Sequence, residues 1–239
     1  MRRWICALLL SAFASPAAAA DLPDGFVHLA DLAPTIRQEM RYAGADNFTG
    51  SHVPGYRAPA CILTRPAAEG LARVQAALKP KGYSLIVYDC YRPAKAVAAF
   101  VEWTKSEVPG ERYFYPEIDK ARLIPDGYIA DRSGHSRGST VDLAIVPLAM
   151  PEAPLPARPE RCDQSSSSST AVEMGTDFDC FSPLSATAST KVSSEAQGNR
   201  RLLLDAMTTA GFRNLPEEWW HYTLRDEPFP DTYFEFDVE

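Results

Sequence analysis

Ser133-Gly134-His135-Ser136-Arg137-Gly138-Ser139-Thr140-Val141-Asp142-Leu143 joins a small, turn-forming run to a β-branched and apolar one. From Thr140 to Val146 the residues alternate. This reads as a strand with Thr140, Asp142 and Ala144 on one face and Val141, Leu143 and Ile145 on the other. A carboxylate on a face of small residues, backed by a wholly apolar face, is costly unless it is paired or bound to a metal. Seven residues before it stands His135. Neutral imidazole and carboxylate are both zinc ligands, and a catalytic zinc usually takes three protein ligands plus a water. The candidate third ligand, His221, lies in Glu218-Trp219-Trp220-His221-Tyr222, where Glu218 stands beside it as a candidate general base. In a straight strand Glu218 and His221 would face opposite ways, so serving one metal requires a bend or helical turn between them.

Working outward, the flanking segments read as a scaffold for that strand. Leu71, Val74, Ala77 and Leu78 have helical spacing within 67–78, and Lys79-Pro80-Lys81-Gly82 ends the helix. Ser84-Leu85-Ile86-Val87 reads as a buried strand, and Pro93 opens a second helix through Trp103. Between them, Asp89-Cys90-Tyr91-Arg92-Pro93 puts Arg92 at a strand end, where a guanidinium suits a carbonyl oxygen or a developing oxyanion. A structural Arg92–Asp89 ion pair is the plainer account. A third helix spans Glu195 to Ala210, with Leu202, Leu203, Ala206 and Met207 inward and Gly211 at its end.

The remaining segments are less periodic. Residues 21–41 read as an opening segment with one short strand or helix. Residues 42–59 are dense in turn formers and aromatics, as a surface loop or a pocket wall would be. In Met174-Gly175-Thr176-Asp177-Phe178-Asp179, two acids flank a phenylalanine; such acids are usually solvated, but one is able to receive a substrate ammonium. Two further histidines, His28 and His52, lack an accompanying pattern and read as surface or packing residues. The tail from Arg225 to Glu239 is aromatic and acidic, and is expected over the domain edge.

Composition bounds the function. Arg2 and Arg3, the apolar run Trp4–Phe13 and Ala18-Ala19-Ala20 read as a signal peptide, residues 1–20. The apolar run is too short to span a bilayer comfortably, and no other segment has the ~20 apolar residues that spanning needs. The expectation is an exported, periplasmic protein without stable membrane association. Residues 21–239 form the remaining chain, enough for one well-packed domain. The net charge of −7 becomes more negative without the two leader arginines, which argues against a nucleic-acid partner. Cys61, Cys90, Cys162 and Cys180 remain. An even count in an oxidising compartment reads as two disulfides, and Cys61–Cys90 with Cys162–Cys180 is the favoured pairing because each closes a neighbouring loop. The Pro-rich run and the serines Ser165–Ser169 mark a flexible insertion at about 147–170.

Ser133-x-His135-x-x-Gly138-x-Thr140-x-Asp142 resembles the S-x-H-x-x-G-x-A-x-D signature of the zinc D-alanyl-D-alanine dipeptidases of the vancomycin-resistance type, and Glu218-Trp219-Trp220-His221 resembles their E-x-W-H element. Asp89–Pro93, Asp46–Gly50, Met174–Asp179 and the Trp219–Phe236 tail extend the resemblance over nearly all of residues 21–239. It implies a single α+β domain of the zinc D,D-peptidase/Hedgehog-like fold, with a mostly antiparallel sheet and helices packed on one face. It also implies one Zn²⁺ on His135, Asp142 and His221, Glu218 as general base and acid, and Arg92 on the scissile carbonyl. Asp179 would bind the ammonium of a D-Ala-D-Ala dipeptide, with Ser133 nearby. Two departures stand out: Thr140 replaces alanine, and the 147–170 insertion is long for the family.

The rival enzymatic reading is a zinc D,D-carboxypeptidase or endopeptidase acting on peptidoglycan stems. The rival from another class is a non-catalytic zinc-stabilised binding protein, which would need neither Glu218 nor Arg92. Dipeptide salvage and glycopeptide resistance are both compatible roles.

Overall fold

A computed structural model of the chain describes residues 22–149, 158–164 and 172–239. The expected signal peptide lies outside these residues, as does most of the 147–170 insertion. The expected α+β domain is present, and its centre is a five-stranded sheet. In chain order its strands are β2 (Arg37–Gln38), β4 (Tyr83–Asp89), β5 (Thr140–Pro147), β6 (Phe212–Asn214) and β7 (His221–Leu224), arranged β2-β4-β5-β7-β6. Only the edge pair β2–β4 is parallel; the other neighbours are antiparallel. β1 (Phe26–His28) and β3 (Ile62–Thr64) form a separate antiparallel ribbon.

β5 is the middle strand, and every residue from Thr140 to Val146 is buried. That burial on both faces explains its near-continuous apolar run and makes Asp142 an exception requiring compensation. The two long neighbouring helices, α2 (Arg65–Leu78) and α4 (Ser194–Thr209), pack on each other, α2 also against β4 and α4 against β5 and β6. Gln75 of α2 fastens the layers: its Oε1 accepts from the Leu85 amide at 2.8 Å and its Nε2 donates to Ser84 Oγ at 2.8 Å. α4 starts where Ser193 Oγ accepts from the Ala196 amide, an N-cap, and it ends just before Gly211 at φ +97°. α3 (Ala94–Lys105) begins after Pro93 as the sequence implies, and its Phe100 and Trp103 join Tyr42 and Phe48 in an aromatic cluster.

The segment before Arg41 holds more than the one element expected from it: β1, the single-turn helix α1 (Leu29–Leu32) and β2. Elements this short carry too few residues to show a period. Both disulfides form with the favoured pairing, Cys61–Cys90 and Cys162–Cys180. The tail lies across the molecule's edge, stacking Phe236 on Tyr91 and packing Phe229, Phe234 and Phe236 around Phe26.

Candidate active site

Sheet register brings the chemistry together. On β5, Asp142 stands opposite His221 of β7 and opposite Asp89 of β4. A bulge between Val87 and Asp89 sets the second pairing; without the extra residue Asp89 would turn to the other face. Asp89, Asp142 and His221 therefore share one face across three adjacent strands.

His135 arrives from the turn ahead of β5. Residues Gly134–Arg137 form a 3₁₀ turn capped by Ser133, whose Oγ accepts from the His135 amide at 3.3 Å. Gly138 closes the turn at φ +80°, and a Cβ there would lie 2.2 Å from the Phe26 ring. The glycine is thus required by both backbone and space. His135 Nδ1 donates to the Cys90 carbonyl at 2.7 Å. A carbonyl only accepts, so the proton sits on Nδ1 and the Nε2 lone pair faces inward. Nε2 stands 3.4 Å from His221 Nδ1 and 3.3 Å from Asp142 Oδ2, while His221 Nδ1 stands 3.1 Å from Asp142 Oδ1.

The bend needed between Glu218 and His221 is present. The Glu218 amide bonds the Leu215 carbonyl and the His221 amide bonds the Glu218 carbonyl, turning the chain before β7 begins. Glu218 Oε2 comes to 3.4 Å from His221 Nδ1. Buried Trp219 anchors this turn by donating from Nε1 to Thr176 Oγ1 at 2.9 Å.

These donors fit a divalent cation. Ligands at ~2.0–2.2 Å from a tetrahedral centre lie roughly 3.3 Å from one another, close to the separations above. Asp142 Oδ1 is buried and accepts no hydrogen bond. Burial alone would raise the Asp142 pKa, but the adjacent His135 and His221 outweigh it and hold the carboxyl well below the usual range. A buried, ionised oxygen with no donor, beside inward-facing imidazole nitrogens, is the arrangement a metal satisfies. Among the described residues, His135, Asp142 and His221 form the group able to hold one.

Arg92 makes the plainer ion pair with Asp89 and also lines the cleft. Its Nε donates to Asp89 Oδ2 at 2.9 Å, while a terminal nitrogen lies 3.6 Å from Asp142 Oδ2. Asp89 is fixed in turn by the Tyr56 hydroxyl at 2.7 Å. The guanidinium sits over the Tyr42 and Phe100 rings, at 5.0 and 5.3 Å, and its residue lines the cleft. The ion pair positions the side chain without removing it from the site.

Asp179 reaches the same cleft from the loop after the insertion. It adopts φ +58°, uncommon for a residue with a Cβ, and its Oδ2 accepts from the Tyr42 hydroxyl at 2.7 Å. Burial, aided by the Asp142 charge, raises its pKa well above the usual carboxylate range. Burial likewise pushes Glu218 up to about 7, against the lowering effect of His221. An incoming cation would relieve the crowding of carboxylates here.

The cleft encloses about 220 Å³ and is lined by Tyr42, Phe48, Arg92, Phe100, Ser133, Asp142, Asp179, Glu218 and His221, among others. The 42–59 segment therefore walls a pocket through Tyr42 and Phe48. Sequence reasoning missed Tyr42 as a partner of Asp179; its only signal was an aromatic in a turn-rich run. Thr140 is not in the lining. Its Oγ1 pairs with Thr223 Oγ1 at 2.9 Å across the strands.

Comparison with known proteins places the chain among peptidases. Residues 23–150 and 161–239 match the peptidase family M15, described as D-Ala-D-Ala dipeptidase. The chain is 37% identical over 220 residues to a D-alanyl-D-alanine dipeptidase of Enterococcus faecalis, covering 91% of this chain and all of that one. It is 36% identical over 218 residues to the dipeptidase of Enterococcus faecium (90% and 98% covered), and 30% identical over 198 residues to that of Escherichia coli (83% of each). The family match omits 151–160, inside the expected insertion.

Proposed function

The chain belongs to the M15 peptidase family of D-Ala-D-Ala dipeptidases, whose members are metallopeptidases, and from that premise we propose that it hydrolyses free D-alanyl-D-alanine with one zinc ion. The observation that carries this reading is the convergence of His135, Asp142 and His221 within 4.8 Å of one another, with Glu218 and Arg92 beside them and Asp179 on the same cleft wall as Tyr42. A cleft of about 220 Å³ is below the ~300–1,000 Å³ typical of drug-sized ligand pockets, which favours a dipeptide over a stem peptide.

His135 Nε2, Asp142 and His221 Nδ1 would hold the zinc, which supplies Lewis acidity to the peptide carbonyl and makes water a nucleophile near neutral pH. Glu218 takes a proton from the attacking water and returns it to the leaving amine, a role suited to a carboxylate poised near 7. Arg92 donates to the oxyanion that develops as the carbonyl becomes tetrahedral. Asp179, backed by the Tyr42 hydroxyl, accepts from the substrate ammonium and excludes peptides whose amine is acylated. Ser133 lines the cleft and holds the His135 turn.

The address we propose is the periplasm, with residues 1–20 removed and dipeptide salvage as the role. Two disulfides support it, and no helix among the described residues is long and apolar enough to cross a membrane.

The test is hydrolysis of D-Ala-D-Ala and of N-acetyl-D-Ala-D-Ala by the zinc-loaded protein and its Glu218→Ala variant. The expected outcome is cleavage of the free dipeptide alone, reduced ~10²–10⁴-fold in the variant with zinc retained. Equal cleavage of the blocked peptide would transfer the assignment to a D,D-carboxypeptidase. Zinc binding with no cleavage of either would favour the binding protein.

A further inference from the structure

A free dipeptide is charged at both ends, and Asp179 accounts for one of them. The other end, the carboxylate, lies three bonds beyond the scissile carbonyl carbon, about 3.5 Å away and on the side opposite the ammonium. It must therefore meet a positive group on a different part of the wall from Asp179. The cleft is lined by two cations, Arg92 and Arg132. Arg92, held by Asp89, is the group assigned above to the oxyanion. Arg132 is exposed, and among the described residues no carboxylate pairs with it. Its guanidinium stands 4.1 Å over the ring of Tyr233 from the tail. A cation–π contact orients a guanidinium without neutralising it, and leaves its in-plane N–H groups free to fork onto a carboxylate. Arg132 precedes Ser133 and the His135 turn, so its wall is continuous with the metal-binding turn, while Asp179 belongs to the separate loop that meets Tyr42.

We infer that Arg132 is a specificity-determining residue that binds the C-terminal carboxylate of the free dipeptide, an inference that rests on the dipeptidase reading above. With Asp179 it makes the site a measure of length: both ends are recognised, and a substrate one residue longer at its carboxyl end carries its charge past Arg132. The pairing is bidentate in geometry but wet in setting, so its energetic effect is moderate.

The test titrates zinc-loaded Glu218→Ala protein, with Arg132 kept or changed to Met, by calorimetry with D-Ala-D-Ala and with its C-terminal amide. Protein with Arg132 is expected to bind the acid about tenfold or more tightly than the amide. Arg132→Met brings the two within about twofold by weakening the acid alone, and Arg132→Lys recovers part of the difference because a point charge replaces a fork. In otherwise unaltered enzyme, Arg132→Met raises KM for the acid and leaves kcat in place. An acid-to-amide ratio indifferent to Arg132, or no binding of either ligand when Arg132 is present, overturns the inference. If Arg132 sets the binding ratio but the unaltered enzyme does not cleave D-Ala-D-Ala, the dipeptidase reading fails while carboxylate recognition stands.

Discussion

The two sides of the cleft are built by different means. The side that carries the proposed metal ligands stands on the sheet: Asp142 and His221 are register partners on β5 and β7, and His135 is held by the Cys90 carbonyl just after β4. Asp179 itself stands on a loop and not on a strand. Its loop is held by cross-ties instead. The Cys162–Cys180 disulfide adjoins Asp179, and Phe181 bonds back to the Phe114 carbonyl. Buried Arg200 donates from Nε to the Met174 carbonyl and from a terminal nitrogen to those of Leu184 and Ala186, bracketing the loop at both ends. A sheet fixes neighbouring side chains through a repeating ladder, so its ligands are placed by the same bonds that make the fold. A loop must be fixed point by point. On the function proposed above, the chemistry would reside where the fold is least adjustable, and substrate choice where single residues set the geometry.

The contrast can be broken most forcefully on the sheet. Asp142→Asn removes the charged member of the proposed ligand set. Zinc titration should show binding lost at concentrations that saturate the parent protein, with hydrolysis falling ~10³-fold or more, since Lewis-acid stabilisation is worth several kcal/mol. Retained zinc affinity and activity would show that the metal is held elsewhere.

The loop side should respond differently. Replacing both Cys162 and Cys180 by Ser frees a loop with a sequence separation of 18, an effect of about 3 kcal/mol on stability. Below the lowered melting temperature, KM for D-Ala-D-Ala should rise about tenfold, the partial loss of a charge-assisted hydrogen bond. Zinc affinity and kcat should hold. If zinc affinity fell together with substrate affinity, the two sides would be one mechanical unit and the comparison would collapse.

The smallest effect sharpens the comparison from inside the sheet. Thr140→Ala restores the residue of the family signature and removes only the hydroxyl pair with Thr223, which should cost about 1 kcal/mol and lower the melting temperature by a few degrees. Because Thr140 faces its strand partner and not the cleft, kcat/KM should be unchanged. A shift in substrate preference would contradict that placement.

The same division explains what could be read from the sequence. The residues on the sheet announced themselves: alternation across 140–146 placed Asp142 on a buried face, and the clash of faces between Glu218 and His221 foretold the turn that the structure contains. Helical periods marked α2, α3 and α4 within a few residues. The loop side carried no such period. The family resemblance points to Asp179, but nothing in the sequence points to Tyr42 beneath it, because a hydroxyl reaching across 137 positions of chain leaves no local trace. Arg200 reads as one more charge on an amphipathic helix; its burial among carbonyls is a property of the loop it grips. The β4 bulge that aims Asp89 at the site was likewise invisible, since Val87-Tyr88-Asp89 is ordinary strand sequence whichever way it pairs.

The tail has a consequence for how the cleft is held together. The Phe234 amide bonds the Ser136 carbonyl inside the His135 turn, the Ala94 amide bonds the Phe234 carbonyl just beyond Arg92, and Val238 exchanges backbone bonds with Gly55, Arg57 and Ala58. Tyr233 lies beneath Arg132. Tail residues therefore clamp the turn and the arginines that stand far before them in the chain. The His135 turn is gripped from two directions, by the Cys90 carbonyl on the sheet side and by the Phe234 amide on the tail side. The tail is a buckle on the cleft, so loosening it should be felt at the site before it is felt in the sheet.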